Sequence, residues 1–291
     1  MSTFLSLLAS GIALGAIYAL GAAGFLVLYK ATGVVNFAQG DLVTVGAYLT
    51  FWGTTSLHLG VWKAALLAVV LTGLLGVVLE RVAYAPLRNR PHLTIVISTL
   101  GAALMVRALL GLWLGTSPIT VPTPIGLGTF DIGGVVIARQ RVLIVVVAAV
   151  VVATLGWMFA RTQLGRSLRA MATDHAMARL SGIRVRGISM FAWGFSGALA
   201  AIAGVLVAPL APVELGFGFS IMFGAFAAAI LGGFESLGGV VVAGLLLGVV
   251  EQTFGAYVFR EYAELYPFLL MVAVIAVRPQ GLFARRAHAR L

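Results

Sequence analysis

The sequence predicts an all-α integral membrane protein, a polytopic bundle of about eight to nine transmembrane helices with a small external β-hairpin, and three observations predict it. Of 291 residues, 61% are apolar and only 10% are charged, whereas a soluble domain carries about a quarter charged residues. Residues 1–29 hold no charge at all, and 142–160 is a second uncharged apolar run. Neither run alternates apolar with polar residues, as the strands of a membrane barrel would. Helices, which satisfy their own backbone groups in lipid, are the remaining solution.

Nine apolar segments follow one another: 4–29, 34–56, 61–79, 93–112, 142–160, 188–210, 220–233, 239–256 and 265–277. The first lacks the basic start and cleavage site of a signal peptide and is read as a retained span. The second contains Asn36, Gln39 and Asp41. An acid at the centre of a membrane helix costs about 2.5–3.5 kcal/mol, so Asp41 needs a partner or water. On one straight helix Asn36 and Gln39 share a face and Asp41 points elsewhere. Three readings stay open: a broken helix, a polar contact to a neighbouring span, or a boundary residue reaching the interface.

Residues 113–141 form an external loop. Within it Phe130-Asp131-Ile132, Gly133-Gly134 and Val135-Val136-Ile137 suggest a hairpin with a two-residue turn. Residues 161–187 hold six arginines and one acid, Asp174. Helix formers from Leu168 to Leu180, closed by Gly182, predict a short amphipathic helix on the cytoplasmic surface; a basic loop that only fixes topology is the other reading. The 220–233 segment is too short to cross about 30 Å at 1.5 Å per residue. It runs into Gly232-Gly233-Phe234-Glu235-Ser236-Leu237-Gly238-Gly239, which breaks a helix. Irregular backbone at membrane depth is tolerated only inside protein or beside water, so 34–56 and 220–233 are each candidates for re-entrant segments. Paired interruptions in opposite halves of a chain point to a transport site. Asn36, Gln39, Asp41, Gly232 and Gly233 are the candidate lining residues.

Charge sets the orientation. With the C-terminus inside, the inner loops and the tail 278–291 hold fourteen Lys and Arg, including Lys30, Arg169 and Arg179, against four outside, Lys63, Arg139, Arg141 and Arg260. Arg107, the nineteenth, falls within a span. The asymmetry predicts an external N-terminus and a cytoplasmic C-terminus. It also accounts for the net charge of +10 without nucleic acid. Of the outer arginines, Arg139, Arg141 and Arg260 are candidates for docking an acidic partner or for lipid phosphates.

Several chemistries are excluded. There is no cysteine, hence no disulfide or thiolate site. The two lysines, Lys30 and Lys63, stand in no phosphate-binding loop, so ATP is not bound by that route. The four histidines show no ligand spacing, which argues against a metal. Gly194-Phe195-Ser196-Gly197 resembles an intramembrane protease motif, yet the one later histidine, His288, sits in the tail, so the motif reads as helix packing. Glycine is abundant at 36 residues, and Gly11/Gly15, Gly111/Gly115 and Gly244/Gly248 are spaced for close helix contact.

Three stretches resemble the permease subunits of branched-chain amino acid ABC importers, the leucine/isoleucine/valine uptake type. They are Asn36-Phe37-Ala38-Gln39-Gly40-Asp41 followed by Gly46-Ala47-Tyr48; Arg169, Ala170, Asp174, Ala178, Leu180, Gly182 and Ile183; and Ala228-Ala229-Ile230-Leu231-Gly232-Gly233 with Gly238-Gly239. The match runs collinearly along nearly the whole chain. It departs at Ala176, where many such permeases carry Glu.

The resemblance implies a single permease domain over 1–291 in a prokaryotic inner membrane. Its partners would be a second related permease, two cytoplasmic ATPase subunits that bind the ATP, a periplasmic or extracellular solute-binding protein, and lipid. The helix from Thr173 to Ile183 would couple to an ATPase, through Arg169, Asp174, Ala178, Arg179, Leu180, Gly182 and Ile183. The solute would be a branched-chain amino acid or a related small polar solute such as urea or an amide. An ion-coupled secondary transporter or channel is the alternative. It fits poorly because Asp41 is counted as the lone acid inside a span and no acid-base chain crosses the bilayer.

Overall fold

The computed structural model describes residues 2–126, 128–132, 135–234, 236–257 and 265–277. Its helices are α1 (Ser2–Thr32), α2 (Gln39–Thr55), α3 (Val61–Leu79), α4 (His92–Leu114), α5 (Arg139–Arg161), α6 (Gln163–Thr173), α7 (His175–Leu180), α8 (Val185–Val207), α9 (Gly218–Gly232), α10 (Leu237–Tyr257) and α11 (Tyr266–Val277). A π-helical turn, Glu80–Tyr84, and a 3-10 turn, Ala85–Leu87, prolong α3. Six helices, α1, α3, α4, α5, α8 and α10, are long and apolar enough to cross a membrane. Helices α2, α9 and α11 are shorter, at 17, 15 and 12 residues. The protein is thus a multi-pass membrane bundle.

Helix α1 is the axis. Within its most apolar stretch 89% of residues are buried, against 22% in α3 and in α5. It packs on α10, α8, α9 and α5. Lipid supplies no hydrophobic drive between helices, so close van der Waals contact has to hold them together. Glycine permits that contact here: a Cβ on Gly11 would lie 2.7 Å from Val249 Cα, and one on Gly15 2.6 Å from Leu245 Cα. The Gly11/Gly15 and Gly244/Gly248 pairs therefore face each other across one seam. Gly111/Gly115 makes no such seam, because Gly115 ends α4 with φ +85° and has nothing near it.

A second seam joins α3 to α8. Gly194 approaches Gly73, and Gly197 approaches Thr72, so that a Cβ on either would press on the facing carbonyl at 3.2 and 2.8 Å. Within the protease-like motif, Gly194 and Gly197 thus serve helix packing. Around this inner set the outer faces of α3, α4 and α5 leave Leu66, Val70, Leu74, Leu104, Leu112 and Val150 exposed. An apolar surface of this kind suits acyl chains as solvent.

The hairpin forms as expected: β1 (Thr129–Ile132) pairs antiparallel with β2 (Val135–Ala138), Phe130 opposite Ile137 and Ile132 opposite Val135. Its Gly133-Gly134 turn lies outside the described residues. The 113–141 loop is pinned to the segment after α8 by paired Ile119 and Val213 backbone bonds of 3.0 and 2.8 Å. Glu235, Arg260 and the whole tail 278–291 also lie outside the described residues.

Candidate functional site

The chain leaves α1 at Gly33, whose φ of +70° and N–H bond to Tyr29 O (2.8 Å) form a left-handed helix end. Residues 34–38 are not helical, and α2 starts at Gln39. The expected 34–56 helix is therefore broken. Asn36 lies before the helix rather than on a face shared with Gln39, and its Oδ1 accepts from Ala38 N at 3.0 Å. Gln39 Nε2 donates to Ser196 O (3.2 Å), while its Oε1 accepts from the Ser196 hydroxyl (2.9 Å). Gly24 makes the room, since a Cβ there would meet Gln39 Nε2 at 2.6 Å. Ser196 lies midway along α8, so α2 begins deep in the bundle and not at its rim.

Asp41, 1% exposed, accepts from Arg107 Nε of α4 at 2.9 Å. Both a break and a contact to a neighbouring span thus occur. The sequence placed Arg107 within a span without pairing it to Asp41, although the signal was present: a lone basic residue in one span and an acid in another need each other in a low dielectric. The pair makes only one of the two bonds available to it, for Asp41 Oδ2 and Arg107 Nη2 are buried without partners, as is Asn36 Nδ2.

Helix α9 joins the same place by its N-terminus. Gly218 N donates to Thr44 Oγ1 at 3.0 Å, and a Cβ on Gly40 would lie 3.0 Å from Gly218 O. The next residue, Phe219, lies under the Arg107 guanidinium, 4.4 Å from its carbon. Two short helices thus bring their positive ends together beside the ion pair. Gly232 and Gly233 are not there. They lie at the far end of α9, about 22 Å along its axis. Gly233 turns the chain with φ +76°, and Gly232 sits against Gly239 and Val240 of α10.

A further intramembrane acid was missed. Glu251 of α10 is 7% exposed and accepts from Tyr18 of α1 at 2.7 Å, which corrects the count of Asp41 alone. Glu80, 4% exposed at the end of α3, accepts from Ser189 Oγ at 3.0 Å. Of the arginines expected on the outer side, Arg141 donates to Ser10 of α1, and Arg139 stands over Phe130 of the hairpin at 5.4 Å.

The segment 161–187 holds two helices instead of the one expected from Leu168 to Leu180. Helix α6 buries Leu168 and Met171 and is capped by Thr162, which accepts from Gly165 N at 3.2 Å. The break falls at Asp174. Its extended backbone (φ −161°) lets Oδ1 accept from Ala176 N at 2.7 Å and Met177 N at 3.1 Å, an N-cap for α7.

Helix α7 ends in a Schellman motif: Gly182 (φ +79°) donates to Arg179 O and Ile183 donates to Ala178 O, both at 3.1 Å. Ala178 is buried, while Met177, Arg179 and Leu180 are exposed, Leu180 by 82%. His175 Nε2 lies 3.0 Å from Ala31 O, a bond that requires a proton on Nε2 and fastens α7 to the end of α1. Arg169 donates to Phe159 O. Arg88, Arg179, Arg184 and Arg186 line a cleft of about 550 Å³ beside α7. Among the described residues, no cluster of His, Asp or Glu is arranged to hold a metal.

A family model described as branched-chain amino acid transport system / permease component matches residues 7–275. Among similar proteins, the high-affinity branched-chain amino acid transport system permease protein BraD of Pseudomonas aeruginosa is 34% identical over 97% of this chain and 96% of its own. The corresponding LivH protein of Escherichia coli K12 is 31% identical over 97% and 96%. The autoinducer 2 import system permease protein LsrC of Escherichia coli matches 53% of this chain and 44% of its own, at 30% identity. These matches do not favour an ion-coupled carrier. An axial α1, a broken entry into α2 and a capped surface helix α7 stand together in one bundle, and over nearly its whole length the chain belongs to the permease components of branched-chain amino acid transport systems.

Proposed function

We propose that this permease forms half of the passage of an ATP-driven importer for branched-chain amino acids. It lies in a prokaryotic inner membrane with its N-terminus outside and its C-terminus in the cytoplasm. A second related permease completes the passage, two ATPase subunits bind the ATP, and a solute-binding protein delivers the solute to the outer face. The passage runs past Asn36, Gln39 and Asp41, with Gly232 and Gly233 at its inner end. Nucleic acid plays no part.

One observation carries this reading. Helix α7, capped at both ends, presents Met177 and Leu180 outward and is fastened through His175 to α1 two residues before its left-handed end at Gly33. A six-residue helix has little stability of its own, so these caps make α7 a rigid unit. In an ATPase groove the two apolar side chains would anchor it, and the arginine cleft beside them would meet an acidic rim. Closure of the ATPases would then displace α7 and, through His175 and Ala31, the broken segment 33–38. A ligand-driven change of this kind needs contacts that differ between two states.

The test is purification in mild detergent of the chain expressed with its operon neighbours. Two ATPase subunits and a second permease should accompany it, and Leu180→Asp should release the ATPases alone. Purification of the chain by itself, or retention of the ATPases by Leu180→Asp, would refute the reading.

A further inference from the structure

The half-made ion pair lies about one helical turn along α2 from an open apolar groove. Asp41, Val45 and Leu49 follow each other at four-residue spacing and so form one stripe of α2. The stripe continues into an open apolar groove of about 200 Å³ between α2, α3 and α4, floored by Val45, Leu49, Leu71 and Val106 and rimmed by the exposed Leu109 and Trp113. An enclosed cavity of about 150 Å³ already accepts benzene, so an open groove of this volume has room along its floor for a four-carbon branched side chain. It therefore begins about one helical turn from a carboxylate oxygen and a guanidinium nitrogen that have no partners.

Three facts speak for a ligand at the pair over a purely structural clasp. Asp41 is 1% exposed with Oδ2 empty-handed, and leaving such an acceptor buried is unfavourable. The Arg107 side chain is 27% exposed, about 10 Å before the end of α4. A guanidinium at membrane depth faces protein or water, not acyl chains. Finally, the N-termini of α2 and α9 converge there, and their partial positive charge favours an anion.

Resting on the amino-acid reading above, we propose that Arg107 and Asp41 receive the zwitterionic head of a branched aliphatic α-amino acid. The carboxylate binds Arg107 Nη2, the ammonium binds Asp41 Oδ2, and the side chain lies along the groove between α2, α3 and α4. The solute completes both bonds that the ion pair leaves unmade. Arg107 is the specificity-determining residue, because an amine or amide without the carboxylate leaves its second donor unpaired.

The test uses the complete transporter in nanodiscs. Phenylglyoxal modification of Arg107, followed by mass spectrometry, should be slowed about tenfold by saturating leucine, the scale of one charge-assisted bond, and not by leucinamide or isobutylamine. Equal modification with and without leucine would overturn the proposal and leave a lipid tail as the occupant of the groove. Separately, Asp41→Arg combined with Arg107→Asp restores an ion pair but reverses the receptor. Leucine uptake should stay at least about tenfold below wild type, and recovery would show a clasp. If the swapped protein does not assemble, the protection measurement decides. Wild-type uptake without protection would overturn this subsite alone, whereas a wild-type complex that takes up no leucine would overturn the function on which it rests.

Discussion

Replacing Asp174 with Ala separates the order of α7 from the order of the bundle. The side chain is exposed and accepts from two backbone N–H groups, Ala176 at 2.7 Å and Met177 at 3.1 Å. Loss of an Asp cap costs about 1 kcal/mol and up to about 2. In a long helix that is a small fraction, but α7 has six residues, and an isolated helix shorter than about 12 is marginal. A change of 1–2 kcal/mol moves a local equilibrium about 5- to 30-fold. Asp174→Ala should therefore fray α7 without lowering the thermal midpoint of the detergent-solubilised bundle. In proteoliposomes holding the full complex, leucine imported per ATP hydrolysed should fall about fivefold or more. Asn caps as well as Asp, so Asp174→Asn should stay near wild type. If Asn fails as Ala does, the acid acts by charge on a partner; if Ala transports normally, the rigidity of α7 is not what couples it.

Three further predictions follow from particular contacts. Gly182→Pro cannot adopt φ +79°, so it should lower import per ATP at unchanged membrane insertion, read by immunoblot and uptake together. Tyr18→Phe removes the donor 2.7 Å from Glu251; losing this one hydrogen bond to a buried carboxylate should destabilise the protein by about 1.5–3 kcal/mol, seen as a lower midpoint in fluorescence-detected size exclusion. Gly15→Leu drives a side chain into the Leu245 backbone, where even a Cβ would lie 2.6 Å from Cα. It should abolish a monodisperse peak, whereas Gly101→Leu, with open space around it, should not.

Much of the architecture was legible because lipid imposes it. Spans read as long uncharged runs, and the Phe130–Ile137 hairpin was visible from two three-residue apolar-rich runs around two glycines. The α1/α10 seam was half legible: glycine spacing marked small faces, but not which would meet, and it misled at Gly115, where a glycine ends a helix. Asp41 was recognised as needing a partner, yet Arg107 is 66 positions away, and no periodicity links two separate helices. Asp174 was read as an acid inside one amphipathic helix, although an Asp before a run of helix formers is also an N-cap signal; its side chain competed for the backbone N–H groups and won. Gly232 and Gly233 were correctly seen to interrupt a helix, but an interruption does not reveal its depth, and theirs falls at the turn into α10.

The central claim is that work reaches this passage from outside the chain. Its most direct test is leucine accumulation in sealed liposomes holding the two permeases and their ATPases, with binding protein outside, ATP supplied on the ATPase side and all ion gradients dissipated. Accumulation against a leucine gradient that stops when ATP is withdrawn is the predicted result. Uphill leucine movement by the purified permease alone, driven by an imposed proton or sodium gradient, would contradict it.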